Sequence, residues 1–118
     1  MAGVSDVEQC LPSVHELKTW ADPFDAMWLA KKGFEFRRND RDFHLGDYLL
    51  LKEWYPPSDT VDIMADPPVG YSGRVILARV HYILLGGQFG LPEGYCIMQL
   101  KVLQKFENRD AAKDVMQP

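Results

Sequence analysis

The sequence predicts a mostly β domain of the α+β class: a small barrel or strongly curved sheet of about five strands with one short early helix. Three observations carry this expectation. Runs with two-residue alternation or dense β-branched and aromatic content recur at 34–37, 48–54, 74–84 and 95–103, with a shorter one at 13–18. Apolar residues at helical spacing are found in one stretch, which starts near Asp22. Strands and helices do not alternate along the chain, which argues against a βαβ architecture. A length of 118 residues suits one domain, and 47% apolar with 25% charged residues is globular composition.

The first dozen residues lack periodicity and read as a loose arm, with the domain proper expected over 13–105. In 13–18, Val14 and Leu17 are the apolar members while His15, Glu16 and Lys18 are polar, a short strand pattern. Asp22-Pro23 is a helix start, because an Asp side chain caps free N–H groups and Pro at the first helical position forfeits no hydrogen bond. Phe24, Met27 and Trp28 then fall at i, i+3 and i+4 and form one buried stripe, with Trp20 and Trp28 packing around the helix. Lys31 and Lys32 sit at the negative end of the helix dipole, and Gly33 is placed to terminate it.

From Gly33 the period becomes two. Phe34 and Phe36 are expected in the core, which would hold Glu35 and Arg37 side by side on the outer face. Asn39-Asp40 and Gly46-Asp47 are turns, and 48–54 is a core strand with Lys52 and Glu53 at its wet end. Residues 55–73, with Pro56-Pro57, Pro67-Pro68, Gly70 and Gly73, read as an irregular insertion. Its Asp59, Asp62 and Asp66 do not have the spacing of a calcium loop. The strands at 74–84 and 95–103 are joined by a turn-rich loop, and 106–118 is a polar tail.

Charge is unevenly placed. The chain carries a net −4, yet residues 31–41 hold five cations (Lys31, Lys32, Arg37, Arg38, Arg41) and two carboxylates (Glu35, Asp40), a local +3 on a remainder of −7. A basic patch on an acidic body focuses an anionic ligand on one place and discourages general binding to phosphate backbones. Arg37 and Arg41 offer planar donor forks to phosphate or a base edge, Lys32 a point charge, and Glu35 an acceptor for an exocyclic amine or a partner for Lys32 or Arg37. Tyr48, Trp54, Tyr71 and Tyr82 are available for stacking. Of three dispersed histidines, His15 shares a strand with Lys18 and is the candidate to reach the same groove as a general base. No spacing suits a metal, and no cofactor is expected. Cys96 lies in an apolar run and reads as a buried free thiol; with no leader-like or membrane-length apolar segment, a cytoplasmic protein is expected.

These residues carry a resemblance. Lys32-Gly33-Phe34-Glu35-Phe36-Arg37, followed by Asn39-Asp40-Arg41-Asp42-Phe43 and the Gly46-Asp47 turn, resembles the Lys-x-x-Glu-φ-Arg core of ASCH domains in the PUA-like superfamily. More narrowly, His15-Glu16-Leu17-Lys18, Tyr82-Ile83-Leu84, Gly86-Gly87 and Gly90-Leu91-Pro92-Glu93-Gly94-Tyr95 are similar to the pattern of small bacterial and bacteriophage proteins of the DUF3850 family, over roughly 13–102. The resemblance implies a PUA-like β-barrel whose Lys-x-x-Glu segment lines a groove for RNA or a nucleotide, contacted by Lys18, Lys32, Glu35, Arg37, Asp40, Arg41 and Tyr82. It also implies two competing readings. One is an enzyme on RNA or a modified nucleoside, a ribonuclease or an N4-acylcytidine amidohydrolase, with Lys32, Glu35 and His15 as catalytic candidates. In deacylating relatives a nucleophilic Thr follows the Lys by three residues, and Glu35 stands there in this chain. The other is a phage-encoded interaction protein that blocks a host component through the 55–73 insertion.

Overall fold

The computed structural model describes residues 11–56 and 70–107. Its elements are β1 (Val14–Trp20), α1 (Ala21–Trp28), β2 (Phe34–Arg38), β3 (Tyr48–Tyr55), β4 (Gly70–Leu85) and β5 (Tyr95–Phe106). The five strands form one sheet in the order β1-β3-β4-β5-β2, parallel between β1 and β3 and antiparallel elsewhere. The expected mostly β architecture with one short early helix is therefore found.

This order puts β1 and β2 at the two edges of the sheet. The sheet curls far enough for side chains to span between them: Arg37 on β2 donates from Nη2 to the Lys18 carbonyl of β1 at 2.8 Å, and Arg41, just beyond β2, donates from Nη1 to the Glu16 carbonyl at 2.9 Å. Register shifts in β3 and β4, between Lys52 and Trp54, Leu77 and Ala78, and Val80 and Tyr82, are the irregularities by which strands bend. The chain leaves one edge through α1, reaches the other at β2, and returns through 39–47 to pair β3 with β1. The basic run of 31–41 thus lies along the seam of a curled sheet.

The main core fills the concave side with Leu17, Phe24, Met27, Phe43, Leu49, Leu51, Ile76, Ala78, Val80, Cys96, Met98 and Leu100. Phe24 and Met27 bring α1 into it, as their spacing predicts, with Trp28 packed alongside. Val75, Leu77 and Phe106 form a second, smaller cluster with Tyr48 and Leu50. Cys96 is the buried free thiol expected, and burial pushes its thiol pKa up. At the β4–β5 turn, a Cβ on Gly86 would collide with the Pro92 carbonyl oxygen, so the glycine is obligatory there.

Several local expectations are corrected. The helix starts at Ala21 with Trp20 as its cap residue and no side-chain cap bond, so Pro23 is its third residue, still among the positions whose N–H has no helical partner. The left-handed residue that ends it is Ala30, with φ of 60°, and not Gly33. The Lys31 and Lys32 amides close on the Ala26 carbonyl at 2.8 and 3.1 Å. Strand β3 runs to Tyr55 and β4 begins at Gly70, so both ends of the expected 55–73 insertion belong to the sheet, and β5 runs to a buried Phe106, which the expected 106–118 tail includes; 57–69, and 1–10 and 108–118 of the expected terminal segments, lie outside the described residues. Glu53 is not at a wet end: it is 1% exposed, and Arg74 and Ser72 of β4 supply its partners.

Candidate functional site

Strand β2 decides the character of the seam, and it faces the opposite way from the expectation. Phe34 and Phe36 are 47% and 50% exposed, while Glu35 is 3% exposed. Alternation defines two faces of a strand but not which one turns inward. Here the register settles it: Glu35 stands opposite Met98 and Arg37 opposite Cys96, both core residues of β5, whereas Phe36 stands opposite Ile97 on the outer face. A carboxylate turned inward needs partners, and Glu35 has two. Lys32 Nζ donates to Oε1 at 3.2 Å and Arg37 Nε to Oε2 at 2.8 Å. The same Arg37 guanidinium donates from Nη2 to the Lys18 carbonyl and, at 3.1 Å, to the Thr19 hydroxyl. One side chain therefore ties the buried carboxylate of β2 to the free edge of β1.

Around this knot lies an open groove of about 380 Å³ lined by Lys18, Thr19, Trp20, Pro23, Lys32, Glu35, Phe36 and Arg37. It holds three cations and one carboxylate. Lys18 is poised over the Trp54 ring at 4.2 Å, and Lys32 lies 5.2 Å from the Phe34 ring. Trp20, assigned to helix packing by its position, is 61% exposed and forms part of the wall. Its placement at the β1–α1 junction turns its side chain away from the core, on the same face as Glu16 and Lys18. With Phe36 it gives the groove two exposed aromatic rings.

The other site candidates are distributed differently. Arg41 is at the seam through Glu16, but it lines a neighbouring cavity of about 480 Å³ with Leu11, Ser13, Asp42, His44, Leu45 and Asp47. That cavity is larger, yet its two carboxylates, Asp42 and Asp47, outnumber the one guanidinium, Arg41, so charge gives it no preference for an anion. Asp40 is exposed in the irregular segment after β2, where a turn is expected. Tyr82 is 59% exposed and lies on the outer face, opposite Gln99, outside the groove.

His15 does not reach the groove. Its Nε2 pairs with Asp47 Oδ2 at 2.8 Å, and its ring meets Phe43 edge-on at 4.8 Å. Burial pushes the Asp47 carboxyl upward, but bonds from His15 and from the Ser13 and His44 amides outweigh it and hold the group below its ordinary value. The structure thus assembles Lys18, Lys32, Glu35 and Arg37, and leaves His15, Asp40 and Tyr82 elsewhere. Among the described residues, no group of His, Cys, Asp and Glu has the arrangement of a metal site, and no helix is long and apolar enough to cross a membrane.

Residues 14–100 match the profile of a family described as a domain of unknown function, DUF3850. The chain belongs to that family. It is also 43% identical over 44 residues to a protein of Escherichia phage P2 described as "uncharacterized 12.9 kDa protein in GpA 3'region", a match spanning 37% of this chain and 40% of the phage protein.

Proposed function

We propose that this protein is a binding module for nucleic acid, RNA above all, or for its nucleotides, and that it takes its ligand in the groove between β1 and β2. The observation that carries the reading is the convergence of Lys18, Lys32 and Arg37, one acceptor, Glu35, and two exposed rings, Trp20 and Phe36, on one open groove of about 380 Å³. Cations meet phosphate, the rings offer faces to a base, and the Glu35 carboxylate offers an acceptor to an exocyclic amine. A volume of this order suits a small ligand. The curled five-stranded sheet with its seam at the Lys-x-x-Glu-x-Arg segment supports placing the family among PUA-like ASCH domains.

The test is a titration of the purified chain with single-stranded RNA and with mononucleotides at several salt concentrations. Binding is expected to weaken as salt rises, and Lys32→Ala or Lys18→Ala to lower affinity by roughly tenfold. Unchanged affinity in both variants would remove the groove from the account. RNA cleavage or loss of an acyl group from N4-acylcytidine, above a Lys32→Ala control, would favour the enzymatic reading instead.

A further inference from the structure

The inward turn of Glu35 has a counterpart on the other side of the sheet. Residues directly opposite each other in antiparallel strands share a face. The registers therefore place Phe34, Gln99 and Tyr82 in one outward row and Phe36, Ile97 and Leu84 in the next. Arg38 and Tyr95 follow at one end, and Arg79 and Lys101 lie toward the other. Phe34, Phe36 and Tyr82 are each about half exposed or more. The Phe36 and Tyr95 rings are stacked, with centroids 5.5 Å apart and planes 19° apart, and Arg38 lies over Tyr95 at 5.5 Å.

This face differs from a patch awaiting another apolar surface in two respects. The charged residues at its outward positions are Arg38, Arg79 and Lys101, all cations, on a chain whose net charge is −4. It is also continuous with the groove: Phe36 belongs to the groove wall and to the Tyr95 stack, and Lys32 pairs with Glu35 while lying over Phe34. Flat rings with cations on their rim are the surface on which bases stack while their phosphates are neutralised.

We infer that the outer face of β2, β5 and β4, through Phe34, Phe36, Tyr82 and Tyr95, binds the nucleotides that flank the one held in the groove, so that the ligand is a single strand several nucleotides long. The inference rests on the proposed function and narrows it from nucleotides in general to a single-stranded polynucleotide that rounds the edge strand β2.

The experiment compares a fluorescein-labelled oligouridylate about ten nucleotides long with uridine monophosphate, on the wild type and on Tyr82→Ala, Tyr95→Ala and Tyr95→Phe. The oligonucleotide is expected to bind the wild type more tightly than the mononucleotide. Tyr82→Ala and Tyr95→Ala are each expected to lose about tenfold in oligonucleotide affinity, with mononucleotide affinity unchanged in Tyr82→Ala, while Tyr95→Phe keeps the ring and the affinity. If the mononucleotide binds and the oligonucleotide binds no better, or if both alanine variants bind it as the wild type does, the outer-face inference is overturned and the groove reading stands. If neither ligand binds, both fall. A free protein that sediments as a dimer, dissociated by Tyr82→Ala, would assign the face to a second copy of the chain and overturn the inference.

Discussion

Two glutamates of this domain, Glu35 and Glu53, are almost equally buried, at 3% and 1% exposed, and each is held by an arginine. Their surroundings differ. Both oxygens of Glu53 are saturated: Arg74 grips them from Nε at 2.9 Å and Nη2 at 2.7 Å, the Ser72 hydroxyl donates at 2.6 Å and the Tyr55 hydroxyl at 3.3 Å. Arg74 in turn lies over Phe24 and Trp28, at 5.2 and 4.7 Å, and reaches Asp25 at 3.3 Å. That carboxylate anchors Arg74, which links the sheet to the helix. Although burial pushes the Glu53 carboxyl upward, its partners outweigh burial and hold it below its ordinary value. Glu35 instead has one contact from each of two separate cations, whose side chains are 19% and 26% exposed, at the wall of an open groove. A ligand that substitutes for one of those cations can open the pair; Glu53 lines neither of the two cavities at the seam. Burial of a charge alone therefore does not mark a site; burial beside an opening, with exchangeable partners, does.

The largest effect that separates the two is expected at Glu53. Glu53→Ala leaves Arg74 without its main partner and should cost about 3–5 kcal/mol in a denaturant unfolding experiment. Ligand affinity of the folded fraction should not change. A loss of binding without a loss of stability would erase the distinction. Arg37→Ala should come next and touch both properties. It strands Glu35 with Lys32 alone and frees the β1 edge, at a cost of about 1.5–3 kcal/mol for bonds to a charged group, and it removes a cation from the groove. If Arg37→Ala lowers stability and leaves binding intact, the seam is a clasp and not a site.

The smallest effect concerns pH. Asp47 and Glu53 are both held below their ordinary values of 3.8 and 4.5. A carboxylate depressed in the folded state contributes stability that is fully present above its unfolded value and is lost as pH falls through the folded one. The urea midpoint should therefore be flat near neutrality and fall below roughly pH 4, and Asp47→Asn should flatten part of that fall.

How much of this was readable in the sequence follows from how local each feature is. The helix stripe of Phe24 and Met27 and the strand positions rest on spacing within a few residues, and they were legible. The sidedness of β2 was not. Two phenylalanines alternating with Glu35 and Arg37 favour burying the rings, and the decision was made by residues far along the chain: Met98 and Cys96 behind the strand, Lys18 and Thr19 across the seam. The same holds for Glu53, whose burial depends on Arg74, 21 residues away. Trp20 read as packing because it adjoins a helix, and only the curl of the sheet reveals it as a groove wall. The pairing of Glu35 with Lys32 or Arg37 is legible for a different reason, since three charges within six residues are neighbours whichever way the strand faces; that both cations hold it at once is not.

The most direct test of the groove is the salt dependence of single-stranded RNA affinity in the wild type and in Lys32→Ala, measured side by side. The account predicts a straight fall of log affinity with log salt whose slope is shallower by about 0.7 in the variant, the share of one phosphate contact on a single strand. Identical slopes and identical affinities in the two proteins would contradict it.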